Sequence, residues 1–158
     1  MTAALSTCRF GLAAGALLLL LAAPACGGAP SYGFVADITL SPKAAALLKA
    51  KNEGITVAAY YTGEPVPSAM KHADEEGMID LATENVTIAG SPGRASVTGS
   101  QVKPSQVSWV KSVQILINAF SARRSGPNNL LDCTLFEGSV AQAQAKPIGV
   151  FCKLIGER

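Results

Sequence analysis

The densest apolar stretch beyond the leader-like start of the chain runs from Val113 to Ile155. Val113–Ala122 is apolar on both phases, with Val113, Ile115 and Ile117 against Leu116, Phe120 and Ala122. Such a pattern predicts a central strand covered on both faces. Leu130–Phe136 places Leu131, Cys133 and Leu135 in one phase, and Ile148–Ile155 does the same with Ile148, Val150, Cys152 and Leu154. Two further strands are therefore expected, each with a cysteine on its apolar side. Between them Ser139–Lys146 reads as a short helix capped by Ser139.

Upstream the alternation is equally plain. Phe34–Leu40 sets Phe34, Ala36, Ile38 and Leu40 against Val35, Asp37 and Thr39, the period of a half-buried strand. Ser41-Pro42 then combines an N-cap with a proline at the first helical position, and Lys43–Asn52 continues with strong helix formers. Leu47 and Leu48 are its expected anchors, and Gly54 its stop. Ile55–Thr62 is a second strand with Ile55, Val57, Ala59 and Tyr61 on one face; Tyr60 and Tyr61, near Glu64, are candidates for an exposed aromatic patch, although strand spacing places one of the two in the core. Gly63–Pro67 breaks it, and Ser68–Glu76 is a polar turn of helix or a loop ended by Gly77. Met78–Leu81 and Val86–Ala89 are short strand candidates, and Ala95–Thr98 reads as the return of a hairpin across the Gly90–Gly93 turn. Lys103–Lys111 is expected to form a turn or one helical turn that packs Trp109 and Val110 on the sheet.

About seven or eight short strands with turns between them predict a mainly β fold. The expected architecture is an antiparallel β-sandwich, immunoglobulin- or transthyretin-like, with one or two short helices, over residues 34–158 as one domain. A two-layer α+β arrangement is the alternative, because the Lys43–Asn52 helix lies between two strands.

Composition changes the picture at the amino terminus. The chain has 158 residues, which fits one domain, and its 49% hydrophobic content is raised by Met1–Ala25. Arg9, the apolar run Gly11–Leu21 and the small-residue triplet Ala23-Pro24-Ala25 follow the order of an export signal peptide over residues 1–25. The apolar run falls short of the roughly 20 residues a spanning helix needs. Residues 26–33 are rich in Gly, Pro and Ser and read as a tether. Charge adds little: 13 basic residues meet 11 acidic ones without any basic run. That excludes an electrostatic footprint for nucleic acid and a basic amphipathic helix for a membrane surface.

The chain contains 4 cysteines, of which Cys8 falls in the signal. Three are left in a compartment where disulfides form. Leu21-Ala22-Ala23-Pro24-Ala25-Cys26-Gly27 resembles a lipobox, with Ala23 and Pro24 as departures from the usual pattern. The resemblance implies lipid on Cys26 and, since Gly27 rather than Asp follows, residence at the outer membrane. Cleavage by an ordinary signal peptidase after Ala25 is the alternative. Where Cys26 is lipidated, Cys133 and Cys152 remain as one pair, and antiparallel pairing of their strands sets them face to face. A bridge there closes a loop of about 20 residues, worth about 3 kcal/mol.

Motifs for catalysis are sparse. The single histidine, His72, shares a face with Glu76 if Lys71–Glu76 is helical, but two ligands do not make a metal site. The sequence has no Gly-x-Ser-x-Gly elbow, no phosphate-binding Gly-x4-Gly-Lys loop and no Cys-x-x-Cys. No cofactor and no metal are expected. Asn85-Val86-Thr87 matches the glycosylation pattern, which is incidental in a bacterial envelope. The segment that stands out is Ser121–Asn129, in which Arg123, Arg124 and Asn128 offer donors for a carboxylate or phosphate. A solvated loop, or one pinned by its own hydrogen bonds, is the competing reading.

Ser-Ala-Arg-Arg-Ser at 121–125, Leu-Asp-Cys at 131–133 and Cys-Lys-Leu-Ile-Gly-Glu at 152–157 resemble a group of small exported bacterial proteins to which no activity is attached. At the level of fold alone, a lipidated β-sandwich is similar to the transthyretin-like outer-membrane lipoprotein of type VI secretion. The expected function is a non-catalytic cell-envelope binding or assembly module, periplasmic and anchored at the outer membrane. Its partner is an envelope protein or a glycan, and it meets the membrane only through lipid on Cys26. A periplasmic enzyme inhibitor and an enzyme built on His72 are the alternatives.

Overall fold

The computed structural model describes residues 31–158. The signal peptide, Cys26 and the first part of the tether lie outside the described residues. Eight strands make two four-stranded sheets. The first sheet contains β1 (Phe34–Leu40), β4 (Gly93–Val97), β6 (Leu131–Cys133) and β8 (Ile148–Leu154), in the order β4-β1-β8-β6. The second contains β2 (Gly54–Gly63), β3 (Ile79–Ala89), β5 (Gln114–Ser121) and β7 (Phe136–Ser139), in the order β3-β2-β5-β7. Helices α1 (Pro42–Ala50), α2 (Pro104–Val107) and α3 (Val140–Ala145) and a 3-10 helix (Pro67–His72) are short.

Alternation explains the core. On β1 Phe34, Ala36 and Ile38 are buried, on β2 Ile55, Val57, Ala59 and Tyr61, on β5 Ile115, Ile117 and Ala119, and on β8 Ile148, Val150 and Cys152. These residues form one cluster between the sheets. The Phe34 and Tyr61 rings meet across it at 6.4 Å, a tilted pair of the kind aromatic quadrupoles favour. Tyr61 also donates its hydroxyl to the Tyr32 carbonyl at 3.1 Å. Burial, then the charge of Glu84, pushes that phenol well above its usual range.

Helix α1 starts as its sequence dictates: Ser41 Oγ accepts from Ala44 N at 3.0 Å, and Pro42 takes the first helical position. It anchors through Ala44 and Leu48, with Leu47 only half-buried. The stop is Asn52 in the left-handed region (φ 49), which leaves Gly54 free to begin β2. Helix α3 carries a capping box, with Ser139 and Gln142 each accepting from the other's backbone N–H.

Several expectations need correction. The sandwich is not purely antiparallel, because β1 and β8 pair in parallel from Ala36↔Ile148 to Leu40↔Cys152. The two candidates at 78–81 and 86–89 are one strand, β3, which runs along the whole of β2 with a bulge opposite Tyr61/Thr62. β4 does not return along β3. It crosses to the other sheet and pairs with β1, Phe34↔Val97 to Ile38↔Gly93. Leu130–Phe136 is split as well, since the chain leaves the first sheet after Cys133 and joins the second at Phe136; Leu135 is exposed between them. Strand β5 is central but covered on one face only, with Leu116 at 37% exposure.

The β3–β4 crossing depends on Gly90. A methyl group there would collide with the Glu53 carbonyl and lie 3.0 Å from Leu48 Cβ. Gly90→Ala is therefore expected to cost about 2–3 kcal/mol through forced backbone displacement, measured as a lower urea midpoint at unchanged slope.

Candidate functional site

The Ser121–Asn129 loop, expected to carry a ligand site, is held from beneath. Glu53 lies between α1 and β2 and is only 4% exposed. Its carboxylate accepts from Gly54 N (2.9 Å), Arg124 N (3.0 Å), Ser125 N (2.8 Å) and Ser125 Oγ (2.7 Å). Burial pushes this carboxyl up, but the hydrogen bonds from Ser125, Arg124 and Gly54 outweigh it and hold the pKa at about 2. The clamp also supports Arg123 in the left-handed region (φ 59), where an L-residue costs about 1 kcal/mol.

A second network closes the loop's other side. Asn129 Oδ1 accepts from Ser121 N, Ser121 Oγ and Leu131 N at 2.9, 3.2 and 3.1 Å, and its Nδ2 donates to the Leu131 carbonyl at 2.7 Å. Of the two asparagines, Asn129 therefore builds the loop, whereas Asn128 is exposed. The Arg123 guanidinium sits 5.6 Å from the centre of the Phe120 ring, within cation–π range. Arg124 folds back over β2, since a methyl on Gly54 would meet its Cζ at 3.1 Å. The three expected site residues share one loop, and of these Arg123 is joined to an aromatic ring.

That surface is the outer face of the second sheet. Registered rows place Thr56 between Thr87 and Phe120, Ala58 between Asn85 and Asn118, and Tyr60 between Thr83 and Leu116. Tyr60 is 36% exposed. A depression of about 410 Å³ follows at the far end, lined by Thr62, Met78, Gln114, Leu116 and Glu137. The face combines apolar anchors with amide and hydroxyl side chains, the chemistry that recognises a peptide surface or a sugar ring. A smaller cleft of about 320 Å³ lies between α1 and the Gly90–Pro92 turn.

His72 takes no part in such a constellation. Its ring stacks on Trp109 at 4.3 Å and 6°. The 3-10 helix ends with His72, and Ala73 is extended, so His72 and Glu76 share no helical face. Among the described residues no three His, Cys, Asp or Glu side chains gather where they would hold a metal ion. Two further acids act as structural acceptors. Glu84 accepts from Thr98 N, Thr98 Oγ1 and Gly99 N at 2.8–2.9 Å. Glu157 accepts from Leu154 N (2.8 Å) and the Ser41 hydroxyl (2.7 Å), which hold its carboxyl below the usual range. Sequence reasoning missed all three clamps. The available signal was an acid flanked by the most apolar strand, in Asn52-Glu53-Gly54-Ile55.

Among the described residues no helix is long and apolar enough to cross a membrane. No protein-family model, no curated protein and no solved structure matches the chain.

Proposed function

We propose that this chain is a non-catalytic binding or assembly module of a bacterial cell envelope, exported and held at the outer membrane through lipid on Cys26. We read its sandwich as immunoglobulin- or transthyretin-like. It engages an envelope protein or glycan through the outer face of the second sheet, at the end where Arg123 stacks on Phe120. The observation that carries the reading is preorganisation. The loop backbone is locked by Glu53 and Asn129, while Tyr60, Leu116 and Phe120 stand on paired strands. A surface fixed before binding loses little conformational entropy when it binds. Position agrees. The chain enters the domain at Phe34 beside Tyr61, and the Arg123–Asn129 loop lies beside Gly54 at the other end of β2. A tether at Cys26 therefore presents this loop away from the membrane. The same rigid loop also suits an inhibitor of a periplasmic enzyme, which would recover a hydrolase as its partner.

The test compares retention of envelope proteins and glycans by the wild type and by Phe120→Ala/Arg123→Ala, alongside their melting temperatures. Loss of retention by about tenfold or more, equivalent to about 1.4 kcal/mol, with little change in melting, is the expected result. Equal retention removes this face as the site.

A further inference from the structure

The outer face of the second sheet ends at the edge strand β3. Among the described residues β3, 11 residues long, pairs with β2 alone, so its other side presents a ladder of backbone N–H and C=O groups that no described strand takes up. The remaining edges are short: β4 has 5 residues, β6 has 3, and β7 has 4 before running into α3. Long free edges are ordinarily blunted by Lys, Pro, a bulge or an inward-pointing charge. β3 contains no Lys, Arg or Pro, and its bulge opposite Tyr61/Thr62 leaves Ala82–Ala89 pairing one for one with β2. Glu84, which faces inward opposite Ala59, is occupied by Thr98 and Gly99.

We propose that this edge pairs with the β3 edge of a second copy of the chain, antiparallel and centred on Asn85, joining two sheets into one of eight strands. Residues directly opposed across an antiparallel pair share a face. Matching inner to inner and outer to outer faces therefore restricts β3 to registers centred on a residue. Centring on Glu84 opposes two carboxylates. Centring on Asn85 opposes no like charges, sets the two Asn85 amides against each other, and puts Thr83 of each copy against Thr87 of the other. Threonine pairs of this kind hydrogen-bond across strands. An antiparallel pairing of one segment with itself is self-complementary, which is the condition for a closed two-fold dimer.

Oxidative cross-linking in intact cells producing the full chain tests this. Asn85 is exposed, so Asn85→Cys leaves the core untouched. It is expected to give a disulfide-linked species of twice the chain mass in more than half of the protein. A chain carrying both Thr83→Cys and Thr87→Cys links into the same dimer, whereas Thr83→Cys alone does not. In sedimentation velocity, Asn85→Lys, which opposes two cations, weakens association at least tenfold. The proposal is overturned by an Asn85→Cys chain that stays monomeric, by linkage to a protein of another mass, or by equal linkage of Glu137→Cys on the opposite edge.

Discussion

Replacing Glu53 by Gln is expected to lower the unfolding free energy at neutral pH by about 2–3 kcal/mol. The isostere retains one acceptor oxygen but turns an amide –NH2 toward a cluster of donors. Hydrogen bonds to a charged acceptor contribute about 1.5–3 kcal/mol, and a donor left without its partner costs a similar amount. Four donors converge on this carboxylate from two distant parts of the chain. For a domain of this size the melting temperature should fall by about 10 °C. The loss should be concentrated locally, with faster amide exchange at Arg124 and Ser125. A change below about 0.5 kcal/mol would mean that the loop holds itself.

The pH dependence carries a definite sign. The Glu53 pKa falls from 4.5 to about 2 on folding. A depressed carboxylate contributes stability that is fully present above its unfolded pKa and lost as pH falls through the folded one. The free-energy gap between the wild type and Glu53→Gln should therefore be constant above about pH 5 and shrink steadily toward pH 2. Its upper bound from the shift is about 3 kcal/mol, at 1.36 kcal/mol for each unit. Glu157 also titrates low, so the wild type alone mixes two groups; the difference between the two chains isolates Glu53.

This clamp marks where the sequence was legible and where it was not. Strands β1 and β8 were readable because each buries one face, and a period of two then survives in the residue order; β2 was readable through its β-branched and aromatic run, although Thr56 and Ala58 of its outer phase are buried as well. Helix α1 was readable because Ser41-Pro42 is local chemistry. β3 was not, because an edge strand with one face in water tolerates Thr83-Glu84-Asn85 in its middle, and β2 supplies the ladder that makes it continuous. The break between β6 and β7 was hidden for a different reason. Leu131, Cys133 and Leu135 keep one phase, yet phase records which face a residue is on and never which sheet it belongs to. The Arg123-Arg124 loop stood out through its side chains, whereas its shape is set through its backbone N–H groups by an acid some seventy positions earlier, at |i−j| of 71 and 72. No local pattern encodes a contact of that separation.

Reduction of the Cys133–Cys152 bridge is expected to have an effect of similar size by a different route. The two cysteines are directly opposed where β6 pairs with β8, and the bond between them spans 19 positions. In the chain-entropy account, opening a loop of this length frees the unfolded chain by about 3 kcal/mol. The folded state has its own reason to depend on the bond. Among the described residues β6 pairs only with β8, over three residues, supported by Thr134 N on the Phe151 carbonyl, Phe151 N on Thr134 Oγ1 and Ile155 N on the Leu130 carbonyl. So short an edge strand has little ladder of its own to hold Leu131 in the core. The cleanest measurement is urea unfolding of the wild type with and without reductant, because the thiols keep the buried Cys152 side chain in place. A double substitution to Ala would add the loss of its packing. About 3 kcal/mol between oxidised and reduced protein is expected. If the entropic account is sufficient, the folded β6 amides stay protected and only the midpoint moves. Fraying of β6 at unchanged global stability would instead assign the bond to the native state, as the pin of an edge.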